Sequence, residues 1–255
     1  MALAMVSFRE PLLRLLAVIA VVAVVVTACG GGADGGDGAL GSSTNGPLSA
    51  ESSTSTSSTS TGFSVVVLGD SIMAWNVDTG QSIPDVIGEE LGVVVTNAAV
   101  GGAHAEDVID QYNERGGEAE WVVFDGGGND LNDRCGCGAC SAIADSILSA
   151  DGTSGVLAEF AEELVVDGRQ VAVVGYYEVP PGAAFGFAAC GAALESHNDR
   201  LRALAQRFDS VIFIDPSVVV TADDLDAFDE DRVHPSPLGS QIVGEQIAAA
   251  IAAAR

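Results

Sequence analysis

The chain has 255 residues, of which 48% are apolar and 18% charged, a composition that suits a globular body and excludes disorder as its main state. Its formal charge is −26, and all ten basic residues are Arg, at positions 9, 14, 115, 134, 169, 200, 202, 207, 232 and 255. The absence of Lys removes Schiff-base, P-loop and lysine-base chemistry, and the charge disfavours nucleic acid as a partner.

Arg9 and Arg14 flank the start of an apolar run from Leu15 to Val26, followed by the small residues Thr27 and Ala28 and then Cys29. A positive start, a short apolar stretch and a small-residue end describe a secretory signal peptide, and the run is shorter than the ~20 residues of a spanning helix. Val26-Thr27-Ala28-Cys29 resembles the lipobox of bacterial lipoproteins. That resemblance implies cleavage before Cys29, a lipid on its thiol, and a place in the cell envelope on the extracytoplasmic side of a bacterial membrane. Residues 1–28 are therefore read as the signal peptide. Residues 29–62, rich in Gly, Ser and Thr as in SSTSTSSTST, are read as the lipidated Cys plus a flexible tether that buries too little to fold. Residues 63–255 remain as one catalytic-sized domain.

Phe63–Leu68 is a continuous apolar run ending in Gly69, as expected of a strand buried on both faces. Similar runs occupy Gly92–Thr96, Trp121–Phe124, Gln170–Tyr176 and Val211–Ile214. Helical character fills the intervals at Ile72–Leu91, Ala103–Arg115, Ser141–Leu148, Ser154–Val166 and Leu194–Phe208, and a last helix is expected from about Leu238 to Ala253. Strands alternating with helices predict parallel pairing. The expected fold is α/β: a three-layer α/β/α sandwich on a flavodoxin-like parallel sheet of about five strands. In such sheets the site lies beyond the carboxyl ends of the strands.

Four of those strand ends carry chemistry. Gly69-Asp70-Ser71-Ile72 follows the first strand, where a Ser at a helix start meets free N–H groups and a favourable dipole; taken alone it reads equally well as a helix cap. Asn97-Ala98-Ala99-Val100-Gly101-Gly102 follows the second and Gly126-Gly127-Gly128-Asn129-Asp130 the third, offering backbone and amide donors for an oxyanion, or plain turns. Before the last helix stands Asp231-Arg232-Val233-His234-Pro235. A serine hydroxyl needs a base, which His234 supplies, and an Asp three residues earlier can fold back to fix the imidazole. His104 reads better as a polar loop residue than as a site residue, and His197 as structural or solvated.

The order GDS, Gly, GGND, D-x-x-H-P resembles the SGNH (GDSL-like) hydrolase family over Phe63–Ala254, with GDSI for the commoner GDSL. The resemblance implies an esterase or lipase with Ser71 as nucleophile, His234 as base and Asp231 as its partner. It also implies an oxyanion hole of the Ser71 and Gly102 N–H groups and the Asn129 amide, with Gly101 the alternative to Gly102. No metal and no organic cofactor is needed. Acyl or acetyl esters of lipid or carbohydrate are the expected substrates, a lysophospholipase or thioesterase activity among them. Two other readings are weighed: a non-catalytic carbohydrate-binding lipoprotein, and a metal-dependent phosphoesterase using Asp70, Asn129 and His234, for which the carboxylate clusters are lacking.

Cys135, Cys137, Cys140 and Cys190 are expected to form two disulfides in an oxidising compartment, three connectivities being open, rather than a zinc site. Phe185 and Phe187 are candidates for an acyl-chain wall or plain packing, and Trp75 for stacking on a sugar or filling the core.

Overall fold

The computed structural model describes residues 63–138 and 140–255. The signal peptide, Cys29 and the tether expected over residues 1–62 lie outside the described residues. Five short strands, β1 (Val65–Leu68), β2 (Val95–Asn97), β3 (Trp121–Phe124), β4 (Gln170–Val174) and β5 (Val211–Ile214), form one parallel sheet in the order β2-β1-β3-β4-β5. That is the flavodoxin-like arrangement expected from the sequence. β1 and β3 are buried along their whole length, as continuous apolar runs with helices on both faces must be. β2 is the edge strand; its pattern is half-buried, and Val94 just before it is exposed, so this run starts its strand three residues later than expected.

Eight helices connect and cover the sheet among the described residues: α1 (Ser71–Ala74), α2 (Ile83–Leu91), α3 (Ala105–Arg115), α4 (Gly128–Cys135), α5 (Ser141–Ile147), α6 (Val156–Val166), α7 (Gly191–Ala205) and α8 (Pro237–Ala254). α2 packs on α8, while α3 packs on α6, the two pairs belonging to opposite faces as right-handed crossovers require. The core is a single cluster centred on Trp121, Phe124, Phe160, Leu68, Met73 and Ile87.

Two expectations are corrected. The helix expected over Ile72–Leu91 is two helices with a break. Asn76 and Gly80 take left-handed backbone angles, and α2 restarts at a capping box in which Ser82 and Asp85 satisfy each other's backbone N–H groups. The Gly-Gly-Asn-Asp stretch, expected as a loop, is instead the first turn of α4, which runs on to Cys135. Smaller shifts move the start of α6 from Ser154 to Val156 and α7 as a whole to Gly191–Ala205.

Strand order reverses direction between β1 and β3: the chain leaves β1 toward one edge and β3 toward the other. The crevice beyond the carboxyl ends of these two strands is the place where doubly wound sheets hold ligands.

Candidate active site

Ser71 is the first residue of α1, directly beyond β1. The Oδ1 of Asp70 accepts the Ile72 N–H at 2.9 Å, so Asp70 rather than Ser71 caps the helix. The Ser71 hydroxyl is thereby left for other work. The preceding glycine is required: Gly69 has φ +139°, and a Cβ there would overlap the Asp125 carboxyl. Gln111 clamps that residue from α3, accepting from Gly69 N at 2.7 Å and donating to Gly69 O at 2.9 Å. The Asp70 N–H donates to Asp125 Oδ1 at 2.8 Å, and the Tyr176 hydroxyl donates to Asp70 Oδ2 at 2.8 Å. Burial pushes the Asp70 carboxyl up. Burial, and then the neighbouring Asp70 charge, push Asp125 well above the ordinary carboxylate value. Two adjacent buried carboxyls cannot both ionise cheaply, and both are raised.

His234 reaches Ser71 from the opposite side. Its Nε2 lies 2.8 Å from Ser71 Oγ and its Nδ1 2.6 Å from Asp231 Oδ2. The other oxygen of Asp231 accepts the backbone N–H groups of Val233 and His234, both at 2.9 Å. Burial alone would raise the Asp231 carboxyl, but these donors and the His234 ring outweigh it and hold the carboxyl below its ordinary value. It is thus an anion facing an imidazole N–H. The turn depends on Arg232 adopting a left-handed φ of 59°, with its guanidinium donating to Pro181 O at 2.8 Å. Tyr177 donates its hydroxyl to Val233 O at 2.7 Å, and Asn76 donates to Pro235 O at 2.9 Å.

Trp75 holds the imidazole in plane. The two rings stack with centroids 3.8 Å apart and 6° between planes, and the indole N–H donates to Asp229 Oδ2 at 2.9 Å. Trp75 therefore neither fills the core nor waits for a sugar. It braces His234, a role the sequence carried no local signal for.

Asn129 is the second residue of α4 and donates its amide to Ala103 O at 3.0 Å. This ties it to the Val100-Gly101-Gly102-Ala103 turn, which the Ala103 N–H closes on Val100 O at 3.1 Å. Gly101 lies against Ser71: a Cβ on it would be 3.9 Å from that of Ser71. Ser71 and Asn129 thus line one small space, with Gly101 against Ser71 and Gly102 next to it in the chain. Asp130 braces the same corner by accepting the Ala105 N–H at 2.9 Å.

His197 is buried beneath this corner, with Nε2 2.8 Å from Gly126 O and its ring so close to Gly127 that a Cβ there would come within 2.9 Å. Burial lowers its pKa to about 4, so it is a neutral donor that supports the Gly126-Gly127 turn and is not solvated. His104 lies outside the site, between Asp107 at 3.6 Å and Asp133 at 3.5 Å.

Disulfides join Cys135 to Cys140 and Cys137 to Cys190, settling the connectivity. The second ties the end of α4 to the start of α7.

A serine hydroxyl on an imidazole, an imidazole on a carboxylate and amide donors beyond can together generate an alkoxide and hold the oxyanion formed when it attacks a carbonyl. Among the described residues there is no cluster of three or more His, Cys, Asp or Glu that could hold a metal ion.

A family model described as "GDSL-like Lipase/Acylhydrolase family" matches residues 67–242. No curated protein matches the chain. Among solved structures, the chain resembles a member of the lipolytic protein G-D-S-L family from Veillonella parvula at 15% identity and a TM-score of 0.58, covering 75% of this chain and 99% of the other. It resembles a catalytic mutant of an acetylxylan esterase from Geobacillus stearothermophilus at 16% identity and a TM-score of 0.56, covering 74% and 94%. It also resembles TesA at 19% identity and a TM-score of 0.53, covering 75% and 99%.

Proposed function

Since the chain belongs to the GDSL-like lipase/acylhydrolase family and is an ester-hydrolysing enzyme, we propose that it is an exported, lipid-anchored serine esterase that cleaves carboxylic esters through an acyl-enzyme on Ser71. The observation that carries the reading is the unbroken chain Ser71 Oγ, His234, Asp231, with 2.8 and 2.6 Å links.

His234 Nε2 takes the Ser71 proton as Oγ attacks the ester carbonyl. Asp231 accepts the Nδ1 proton bond and stabilises the imidazolium without itself being protonated. The oxyanion of the tetrahedral intermediate is received by the N–H groups of Ser71 and Gly102 and by the Asn129 amide. His234 then gives its proton to the leaving alcohol. Water, activated by the same imidazole, attacks the acyl-enzyme and releases the acid. The anchor rests on Val26-Thr27-Ala28-Cys29 and the Gly/Ser/Thr-rich stretch after it, which would place the domain outside a bacterial membrane.

Turnover of p-nitrophenyl esters is expected to fall at least about 10³-fold in Ser71→Ala, and equal turnover by both forms rejects the reading. Fluorophosphonate labelling of cells producing the full chain tests both halves. The label is expected on Ser71 in the membrane fraction, moving to the soluble fraction with Cys29→Ala. A label indifferent to Cys29 removes the anchor.

A further inference from the structure

Beside Ser71 the structure holds a cavity of about 310 Å³, its open mouth included. Asp70, Ser71 and Asn129 lie at its polar end, and Tyr177, Val179, Phe187, Leu194 and Val233 line the rest. The apolar part presents no free hydroxyl proton: that of Tyr177 is donated to Val233 O and that of Tyr176 to Asp70. A hydroxyl-bearing group placed there would lose about 1–3 kcal/mol for each partner in water that is not replaced, whereas a hydrocarbon chain would not. This pocket therefore suits the acyl side of an ester.

Three of its walls are packed into the core. Tyr177, Leu194 and Val233 are buried, Tyr177 packs edge-on against Phe228 at 5.2 Å, and Leu194 sits in the first turn of α7, its N–H donating to the carbonyl of Cys190, which is bonded to Cys137. Of that space, only about 20 Å³ can take a water-sized body, room for about one or two waters and so for a chain of only a few carbons beyond the reacting carbonyl. Resting on the esterase reading above, we propose that the substrates are esters of short acyl chains, acetyl to butyryl, and that Tyr177, Val179, Phe187, Leu194 and Val233 set this limit.

The test is kcat/KM across p-nitrophenyl acetate, butyrate, octanoate and palmitate for wild type, Ser71→Ala, Phe187→Ala and Leu194→Ala. Wild type is expected to turn over octanoate at least about 100-fold less efficiently than butyrate, since one methylene in a pocket is worth about 10–200-fold. Phe187→Ala, at a half-buried loop position, is expected to raise the octanoate-to-butyrate ratio at least about tenfold, and Leu194→Ala to do the same if circular dichroism shows it folded. Wild-type turnover of octanoate equal to that of butyrate, absent in Ser71→Ala, overturns the short-acyl limit and leaves the esterase standing. An unchanged ratio in Phe187→Ala overturns its part in the wall. Turnover by Ser71→Ala at the wild-type level, or none by any form, overturns the esterase reading and the limit with it.

Discussion

At the scale of single residues, the distance from Trp75 to His234 decides more than its area. A stacked indole 3.8 Å away with 6° between planes restricts the imidazole ring's rotation about its Cβ–Cγ bond, adding to the hydrogen bond that Asp231 accepts from it. Misplacing a base by about 1 Å can cost about 100-fold in rate. Trp75→Ala is expected to lower kcat about 10- to 100-fold with little change in KM, and Trp75→Phe to recover most of it. Steady-state kinetics check this, and a kcat for Trp75→Ala within about twofold of wild type would sink it. The sequence displayed Ser71 and Asn129 because each stands just past a strand, and Asp231 and His234 because they stand together just before the last helix, as residue types with obvious chemistry. It named Trp75 and His197 without their partners and did not display Gln111, Asp125 or Tyr176 as site residues. These work through partners 42 to 159 positions away, as Gln111 does with Gly69 and Trp75 with His234, and no local pattern encodes such a pairing.

At the scale of elements, periodicity located all five strands and six helical segments, because a run buried on both faces or a one-sided stripe leaves its period in the sequence. It missed the break after α1, where a left-handed Asn76 interrupts a stretch that still looks apolar and helical. It also missed α4, whose glycine-rich start resembles a turn and whose helical part carries few apolar residues. α4 matters because it bears Asn129 at one end and Cys137 just past the other. The Cys137–Cys190 bridge closes a loop with a sequence separation of 53 and a Cα–Cα distance of 4.8 Å, against a separation of 5 for Cys135–Cys140. On loop-closure grounds the longer bridge contributes about 2–4 kcal/mol and the shorter one less. Urea unfolding of a Cys137→Ala, Cys190→Ala double variant is expected to show a loss of that size. A smaller loss than in the matching variant of Cys135 and Cys140 would refute the ranking.

At the scale of the whole molecule, the parallel sheet brings loops from distant parts of the chain to one rim, and the order β2-β1-β3-β4-β5 sets the loops after β1 and β3 side by side. Parallel pairing was legible in the alternation of elements. The identity of the neighbours followed only from the doubly wound type, since β1 pairs with a strand 56 positions on, as Val65 does with Trp121. Global stability should bear the mark of His197. Its folded pKa of about 4 lies below the 6.5 of the unfolded chain. Its neutral form therefore contributes stability that is complete above pH 6.5 and is lost as pH falls, because the unfolded state takes up the proton first. Between pH 6.5 and 4 the loss from this one group is about 3 kcal/mol. His197→Gln, which keeps a donor for Gly126 O, is expected to lack this component. The check is the difference between wild-type and variant unfolding free energies across that range, and a constant difference would contradict it.

The Arg255 guanidinium sits 3.7 Å over the ring of Phe63, so the segment entering β1 and the tail of α8 meet at the amino edge of the sheet. Ser71 lies beyond the opposite, carboxyl edge. The chain therefore enters β1 at the edge of the sheet away from Ser71. The same nearness means that a short peptide could splice these two points and the polypeptide be reopened in a surface turn elsewhere, with the rim undisturbed.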